Sequence, residues 1–214
     1  GIIIGQKTFG KGTVQKLDSL TSGQIKITES KFYRITGAGM QNKGIHPDIT
    51  LPSTWDIEEI GESSYDTALP WDEIKPIHFQ KFPMRTSLIS QLNDEHLIRV
   101  SQSPNLQYIL DIRKRYETQK NKEVISLNLT NRRIEKKERQ LWALNTENKR
   151  RASLNLEIFD SYKAMEDYNN AKETADDKKD FEINIDDDYL LNEGAQILSD
   201  YMLFNQNTYL SQAA

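Results

Sequence analysis

Thr8-Phe9-Gly10-Lys11-Gly12-Thr13-Val14-Gln15, which follows the apolar run Ile2-Ile3-Ile4, decides how the first part of this chain is read. The isoleucine run reads as a short buried strand. Glycine on both sides of Lys11 allows a positive φ and lets another piece of chain come close. After the second glycine the sequence is β-branched at its start and lacks helical spacing, so Gly12–Leu17 is predicted as a strand. Gln24-Ile25-Lys26-Ile27-Thr28 alternates polar and apolar with period two, and Lys31–Ile35 forms another short extended run. The break at Glu29-Ser30 calls for a bulge or a turn. Gly37-Ala38-Gly39 opens a loop, and Ile49-Thr50-Leu51 is a short extended piece ended by Pro52. Residues 1–52 are therefore predicted to be β-rich.

Lys11 admits three readings. It is a solvated lysine at a loop tip, a phosphate-loop lysine, or a catalytic base. Gly5 to Lys11 fits G-x-x-x-x-G-K after a strand, but Gly12 stands where that motif needs Ser or Thr for the metal ion. No helix follows to offer its N-terminus to a phosphate. A lysine acts as general base for a serine only if its amine is brought from about 10.4 to near 7, chiefly by burial. Phe9 and Val14 are the neighbours expected to wall it off. Gln15, four residues on, is within reach to orient the amine. Ser-Lys versions of the serine triad use this chemistry.

The 214 residues suffice for one domain or two. Hydrophobic residues make up 36 % and charged residues 28 %, with mean hydropathy −0.71, so long exposed helices or much charged surface are expected. A net charge of −4 gives no global field for nucleic acid. No apolar run is long enough to span a membrane. Cysteine is absent, which removes disulfides and thiolate metal sites. His46, His78 and His96 show no H-x-x-x-H spacing, and Asp186-Asp187-Asp188 lacks the spaced oxygens and glycine of a calcium loop. No metal or cofactor is expected.

Residues 53–83 are irregular and punctuated by Pro70, Pro76 and Pro83. They also carry Trp55, Tyr65, Leu69, Trp71, Ile77, Phe79 and Phe82, so this segment is expected to wrap a folded body and pack its aromatics there. Helical spacing begins near residue 84. One amphipathic helix from Ser87 carries Leu92, His96 and Val100. Ser103-Pro104 is an N-cap followed by Pro at N1, opening a helix with Leu106, Ile109, Leu110, Ile112 and Tyr116. Arg132–Arg151 is a charged helix with Ile134, Leu141, Trp142 and Leu144 on its apolar side. Residues 145–188 are polar and expected to be partly flexible. A last helix, Asp188–Asn205, begins at three aspartates that suit the helix dipole. The helical part is basic around Arg113–Arg115, Arg132–Arg139 and Lys149–Arg151, and its tail is acidic from Glu166 to Asp188. The preferred reading is two solvated faces that attract one another within the chain; nucleic-acid binding finds no aromatic stacking motif.

T-F-G-K-G-T-V-Q resembles the lysine segment of the carboxyl-terminal processing serine peptidases, most closely their bacterial tail-specific branch. Lys31-Phe32-Tyr33-Arg34 followed by Gln41-Asn42-Lys43-Gly44-Ile45-His46-Pro47-Asp48-Ile49 resembles that family's strand and Q-x-x-G-[IV]-x-P-D-[IV] turn. Leu69-Pro70-Trp71-Asp72 and Val124-Ile125-Ser126-Leu127-Asn128 are similar to segments of the same branch. The resemblance is strong over residues 1–75 and weaker to about 150. It implies that Lys11 is the general base and that Gln15 accepts a hydrogen bond from its amine. The family's serine lies upstream of the lysine in a G-S-x-S-type segment, which this chain does not contain, nor does it contain the family's PDZ domain. The chain is thus expected to be an excised C-terminal part, because Gly1-Ile2-Ile3-Ile4-Gly5 reads as the middle of a core. By itself it is expected to be inactive. The parent is expected to cut proteins with apolar, unstructured C-termini in the periplasm, through an acyl-enzyme. The fold class expected is α+β: residues 1–52 a β-rich remnant of a protease core, 53–83 a wrapping segment, and 84–214 a helical C-terminal domain. A second function from a different class is a non-catalytic scaffold or a docking site for an adaptor protein within 84–214.

Overall fold

The computed structural model describes residues 1–80, 86–176 and 188–212, without the side chains of 173, 175, 176 and 206–212. It is α+β, with short strands first and long helices after. The chain forms two compact units, Gly1–Asn93 and Asp94–Ala214.

In the first unit β1 (Ile4–Gly5) pairs in parallel with β4 (Ile49–Thr50), Ile4 against Ile49. The Pro47-Asp48 turn sets this register, because the Asp48 carboxylate accepts from Ile3 N at 2.8 Å while Asp48 N donates to Ile3 O. Ile49 and Leu51 are buried here. Ile3, however, is 44 % exposed and Ile2 and Ile4 are only half-buried, so the isoleucine run is not the buried strand its composition suggests. A parallel pair becomes buried when elements cover both its faces, and a two-residue ladder with one partner does not do this.

β2 (Thr13–Ser19) and β3 (Gln24–Lys31) form an antiparallel hairpin. The register passes from Val14↔Ser30 to Gln15↔Thr28, leaving Glu29 as the extra residue of a bulge, where the sequence calls for one. Lys31 closes β3, so Lys31–Ile35 is not a separate strand. Only Tyr33 bridges onward, to Gly39. Ile25 and Ile27 are 43 % and 45 % exposed: the alternation gives the strand correctly, but neither face of the hairpin is covered.

Residues 53–80 are irregular apart from α1 (Ile57–Ile60) and a 3-10 turn at Glu62–Ser64. Leu69–Asp72 is fastened to the loop after β3. Trp71 Nε1 donates to Gly39 O at 2.8 Å, the Lys43 ammonium lies 3.4 Å from the indole centroid, and Lys31 donates to Pro70 O. Tyr33 donates to Asp72 at 3.1 Å, and burial together with that carboxylate pushes its pKa up. Trp71 is thus held against the loop after β3. Trp55, at 68 % exposed, and Ile77, at 67 %, are not packed away, and Phe82 lies outside the described residues.

α2 (Thr86–Gln102) ends at Ser103, whose hydroxyl accepts from Leu106 N, with Pro104 at the first position of α3 (Pro104–Lys120). Val100, Leu106 and Ile109 form the second unit's apolar cluster, with Leu190 against it. α4 (Leu129–Ser153) starts on Asn128, which accepts from Thr130 N and Asn131 N. It packs on α3 and on α5 (Tyr162–Asp176). α6 (Tyr189–Gln212) starts on Asp188, which accepts from Leu191 N.

One expectation is corrected here, on the apolar side of α4, and the polar stretch after it takes on definite elements. Ile134 and Leu141 are 50 % and 59 % exposed, so the apolar side of α4 reduces to Trp142 and Leu144. Residues 145–176 are largely ordered into the end of α4 and into α5; residues 177–187 lie outside those described. The polar stretch orders because arginine packs as a flat surface as well as a charge. Arg151 lies 4.3 Å from the Phe159 ring and 5.3 Å from Tyr168, and Asn148 makes two 2.8 Å bonds to the Phe159 backbone. The basic residues also pair mostly with acids close by in sequence, as in Arg113–Glu117, Arg132–Glu135 and Arg150–Glu147.

Tyr108 on α3 carries a raised pKa, through burial first and the Glu147 carboxylate second. The fold therefore prefers the neutral phenol. That preference is fully present below about pH 10 and is lost as pH rises through the folded value. The slope of the urea midpoint above pH 10 should be shallower in Tyr108→Phe than in wild type; identical slopes would mean that the phenol carries no part of the alkaline loss.

Candidate functional site

The bonding around Lys11 begins with its glycines. Gly10 has φ +92, a conformation that L side chains adopt only under strain. At Gly12 the constraint is space: a Cβ would overlap the Gln41 nitrogen and lie 2.9 Å from its Cα. One glycine supplies the turn and the other the close approach. Gly12→Ala is expected to lower stability by about 1–3 kcal/mol through overpacking against backbone. An unchanged urea midpoint would show that the contact relaxes freely.

The backbone on either side of Lys11 is pinned. Phe9 O accepts from Glu62 N at 2.7 Å, Gly10 O from Asn42 N at 2.8 Å, and Gly12 O from Phe32 N at 3.0 Å. From this anchor β2 runs out. In a strand, residues two apart share a face, so Thr13 and Gln15 point the same way, Lys11 reaches that side through its bond to Thr13, and Thr28 stands opposite Gln15 on β3.

These four residues line one cleft of about 340 Å³. Phe9, Tyr65 and Leu69 give it an apolar flank, and Gln41 and Glu62 a polar one. Lys11 Nζ donates to Thr13 Oγ1 at 3.1 Å, and Gln15 Nε2 donates to Thr28 Oγ1 at 3.4 Å. The cleft thus brings Lys11 and Gln15 together, while their polar ends rest on the two threonines rather than on each other. The wall expected of Phe9 and Val14 is not closed. Phe9 flanks the cleft at 42 % exposed, and Val14, 46 % exposed, alternates to the other face of the hairpin. Among the described residues no serine lines the cleft. The strand after Gly12 also rules out a phosphate loop, whose phosphates need a helix N-terminus at that point.

Sequence reasoning passed over Thr13, Thr28, Gln41 and Glu62. Thr13 could have been found from its period-two spacing. Gln41 opens the Q-x-x-G turn, where the resemblance gives it no role, and Glu62 carries no local signal. A second depression, about 450 Å³ between α3 and α4, is lined by Lys114, Arg115, Trp142 and Lys149 among others. Among the described residues it offers charged stems, two threonine hydroxyls and a single carboxylate, Asp111, and so no paired acids for bond chemistry. Among the described residues no group of three or more His, Asp or Glu could hold a metal ion, and no helix is long and apolar enough to cross a membrane.

A glycine-flanked lysine just before β2 and a glutamine on β2 thus line one cleft in a β-containing unit that a helical unit follows. Residues 1–51 match peptidase family S41, and residues 55–203 match the family described as the C-terminal domain of tail specific protease. The chain is 32 % identical over its whole length to the tail-specific protease of Haemophilus influenzae, of which it covers 30 %. Over 50 residues, 23 % of this chain and 10 % of the relative, it is 42 % identical to a probable CtpA-like serine protease of Staphylococcus epidermidis. The chain belongs to the tail-specific protease family and corresponds to its C-terminal part. It spans less than a third of the length of the Haemophilus relative.

Proposed function

We propose that this chain supplies the general base and its orienting partner to a serine endopeptidase that works by a Ser-Lys-Gln mechanism. The observation that carries the reading is the placement of Lys11 and Gln15 in one cleft, with Lys11 on a loop whose Phe9, Gly10 and Gly12 carbonyls each accept a backbone hydrogen bond. The neutral Lys11 amine takes the proton from a serine hydroxyl outside this chain as its oxygen attacks the scissile carbonyl carbon. The resulting ammonium returns that proton to the leaving amine nitrogen when the C–N bond breaks. The same amine then deprotonates the water that hydrolyses the acyl-enzyme. The side-chain oxygen of Gln15, whose amide nitrogen is held by Thr28, is the acceptor that directs the amine. Arrival of the serine segment and the substrate completes the wall that Phe9 begins, excluding water as a neutral lysine requires.

The substrates are proteins with apolar, unstructured C-termini, cut in the periplasm. The family resemblance of the glycine-flanked lysine segment and the Gln41–Ile49 turn supports this. The chain alone does not cleave. The test is cleavage of an unfolded protein ending in apolar residues by the full-length protease and by its Lys11→Ala variant. Loss of cleavage with the fold retained supports the reading, and cleavage at the wild-type rate makes Lys11 a loop lysine.

A second reading places a non-catalytic role in the helical unit, as a scaffold or an adaptor dock. It is favoured by the loop between α3 and α4, where Val124, Ile125 and Leu127 are 75 %, 62 % and 98 % exposed. Replacing all three by serine should weaken pull-down of such an adaptor and leave cleavage of a free peptide unchanged.

A further inference from the structure

Gln41 is 1 % exposed, and a buried primary amide is kept only where its polar atoms are satisfied. Its Oε1 accepts from Gly12 N at 2.8 Å, and its Nε2 donates to Glu62 Oε1 at 2.8 Å. The orientation is fixed by its partners, since a backbone N–H only donates and a carboxylate only accepts. Glu62 holds the loop at its other end too, through its own N–H to Phe9 O. The segment Phe9-Gly10-Lys11-Gly12 is therefore closed at both ends by one residue, directly at Phe9 and through Gln41 at Gly12. Of these ties only Glu62 N to Phe9 O is purely backbone; the Gln41 bonds to Gly12 and to Glu62 depend on side chains, so substitution can cut them.

We propose that Gln41 and Glu62 are positioning residues that hold Lys11 in its working position through the Gly12 amide. The proposal rests on the catalytic reading of Lys11. Glu62 lies in the 55–203 segment that matches the C-terminal domain family, while Lys11 and Gln41 lie in the segment that matches the peptidase family. The start of the C-terminal domain thus completes the peptidase site instead of only following it. A misplacement of about 1 Å at a reacting group costs about 100-fold in rate, and loosening the loop at Gly12 permits movement of that order.

The test uses the full-length protease, with kcat counted per active site titrated to end point with a fluorophosphonate, so that an unfolded fraction does not enter. Gln41→Ala is expected to lower kcat about 10- to 100-fold and leave KM within about twofold. Glu62→Ala cuts the same bridge from the other end and should act alike; it serves if Gln41→Ala does not fold. The decisive variant exchanges the pair, Gln41→Glu with Glu62→Gln. The carboxylate at 41 then accepts from Gly12 N–H with one oxygen and from the amide at 62 with the other. It should recover kcat to within about threefold of wild type, by the same positional argument. Wild-type kcat in Gln41→Ala and Glu62→Ala, a loss confined to KM, or an exchanged pair no better than the single variants would each overturn the proposal. Lys11→Ala in the same assay separates the two claims. If it cleaves normally the catalytic reading fails; if it is inactive while Gln41→Ala is not, the positioning claim alone fails.

Discussion

Lys11→Ala in the full-length protease is expected to lower kcat by about 10⁴-fold or more, with the fold intact. General acid–base catalysis is worth about 10²–10⁴ by itself, and removing one member of a nucleophile–base pair disables the other as well. Stability should change little, because Lys11 is exposed and its side chain makes one hydrogen bond, to Thr13. Lys11→Arg is the sharper variant. It keeps a cation and a long stem in the cleft, but a guanidinium does not give up its proton and cannot act as a base. The account therefore expects Lys11→Arg to be as inactive as Lys11→Ala. Substantial activity in Lys11→Arg would mean that residue 11 contributes charge and not proton transfer.

Glu193→Ala is expected to cost about 3–5 kcal/mol of stability. His96 and Arg99 lie three apart on α2, and Glu193 and Asp200 seven apart on α6, so each pair shares a helix face. Glu193, 6 % exposed, accepts from His96 Nδ1 at 2.8 Å and from Arg99 Nε at 3.0 Å, and Arg99 also reaches Asp200 at 2.7 Å. One buried carboxylate thus answers two donors. Removing it strands the His96 ring and leaves a partly buried guanidinium short of a partner, and a buried group left unmatched costs more than the pair itself contributes. Arg99 has little in reserve, since its Nη2 is buried with no partner among the described residues. Glu193→Gln, which keeps an acceptor without the charge, should cost less. A denaturant midpoint for Glu193→Ala equal to wild type would show that the helices are held by apolar contacts alone.

The sequence made some of this legible. Ser103-Pro104 marked the start of α3, because a cap and an N1 proline act within one turn. The break at Glu29-Ser30 appears as the β3 bulge. The glycines around Lys11 announced a turn and a close approach, and Gly10 and Gly12 supply one each. What was not legible depends on contacts distant in the chain. Hydropathy took Ile2–Ile4 for a buried strand because composition does not say how many neighbours a strand will have. Hydropathy gave no sign that Arg151 packs against Phe159 and Tyr168, because it counts arginine as charge alone. Glu62 looks like any surface acid until Gln41 is placed beside it. At the candidate site Lys11 and Gln15 stand out from local spacing, while the residues that pin the Lys11 loop (Phe32, Gln41, Asn42 and Glu62) come from 20 to 50 positions further along the chain than Gly12.

The most direct test of the central claim, that Lys11 activates the serine, is the initial rate at which a fluorophosphonate labels the full-length protease at neutral pH. The probe reports nucleophile activation without any need for substrate to dock. The account predicts that Lys11→Ala and Lys11→Arg label far more slowly than wild type while their far-UV circular dichroism is unchanged. Labelling of Lys11→Ala at the wild-type rate would contradict it.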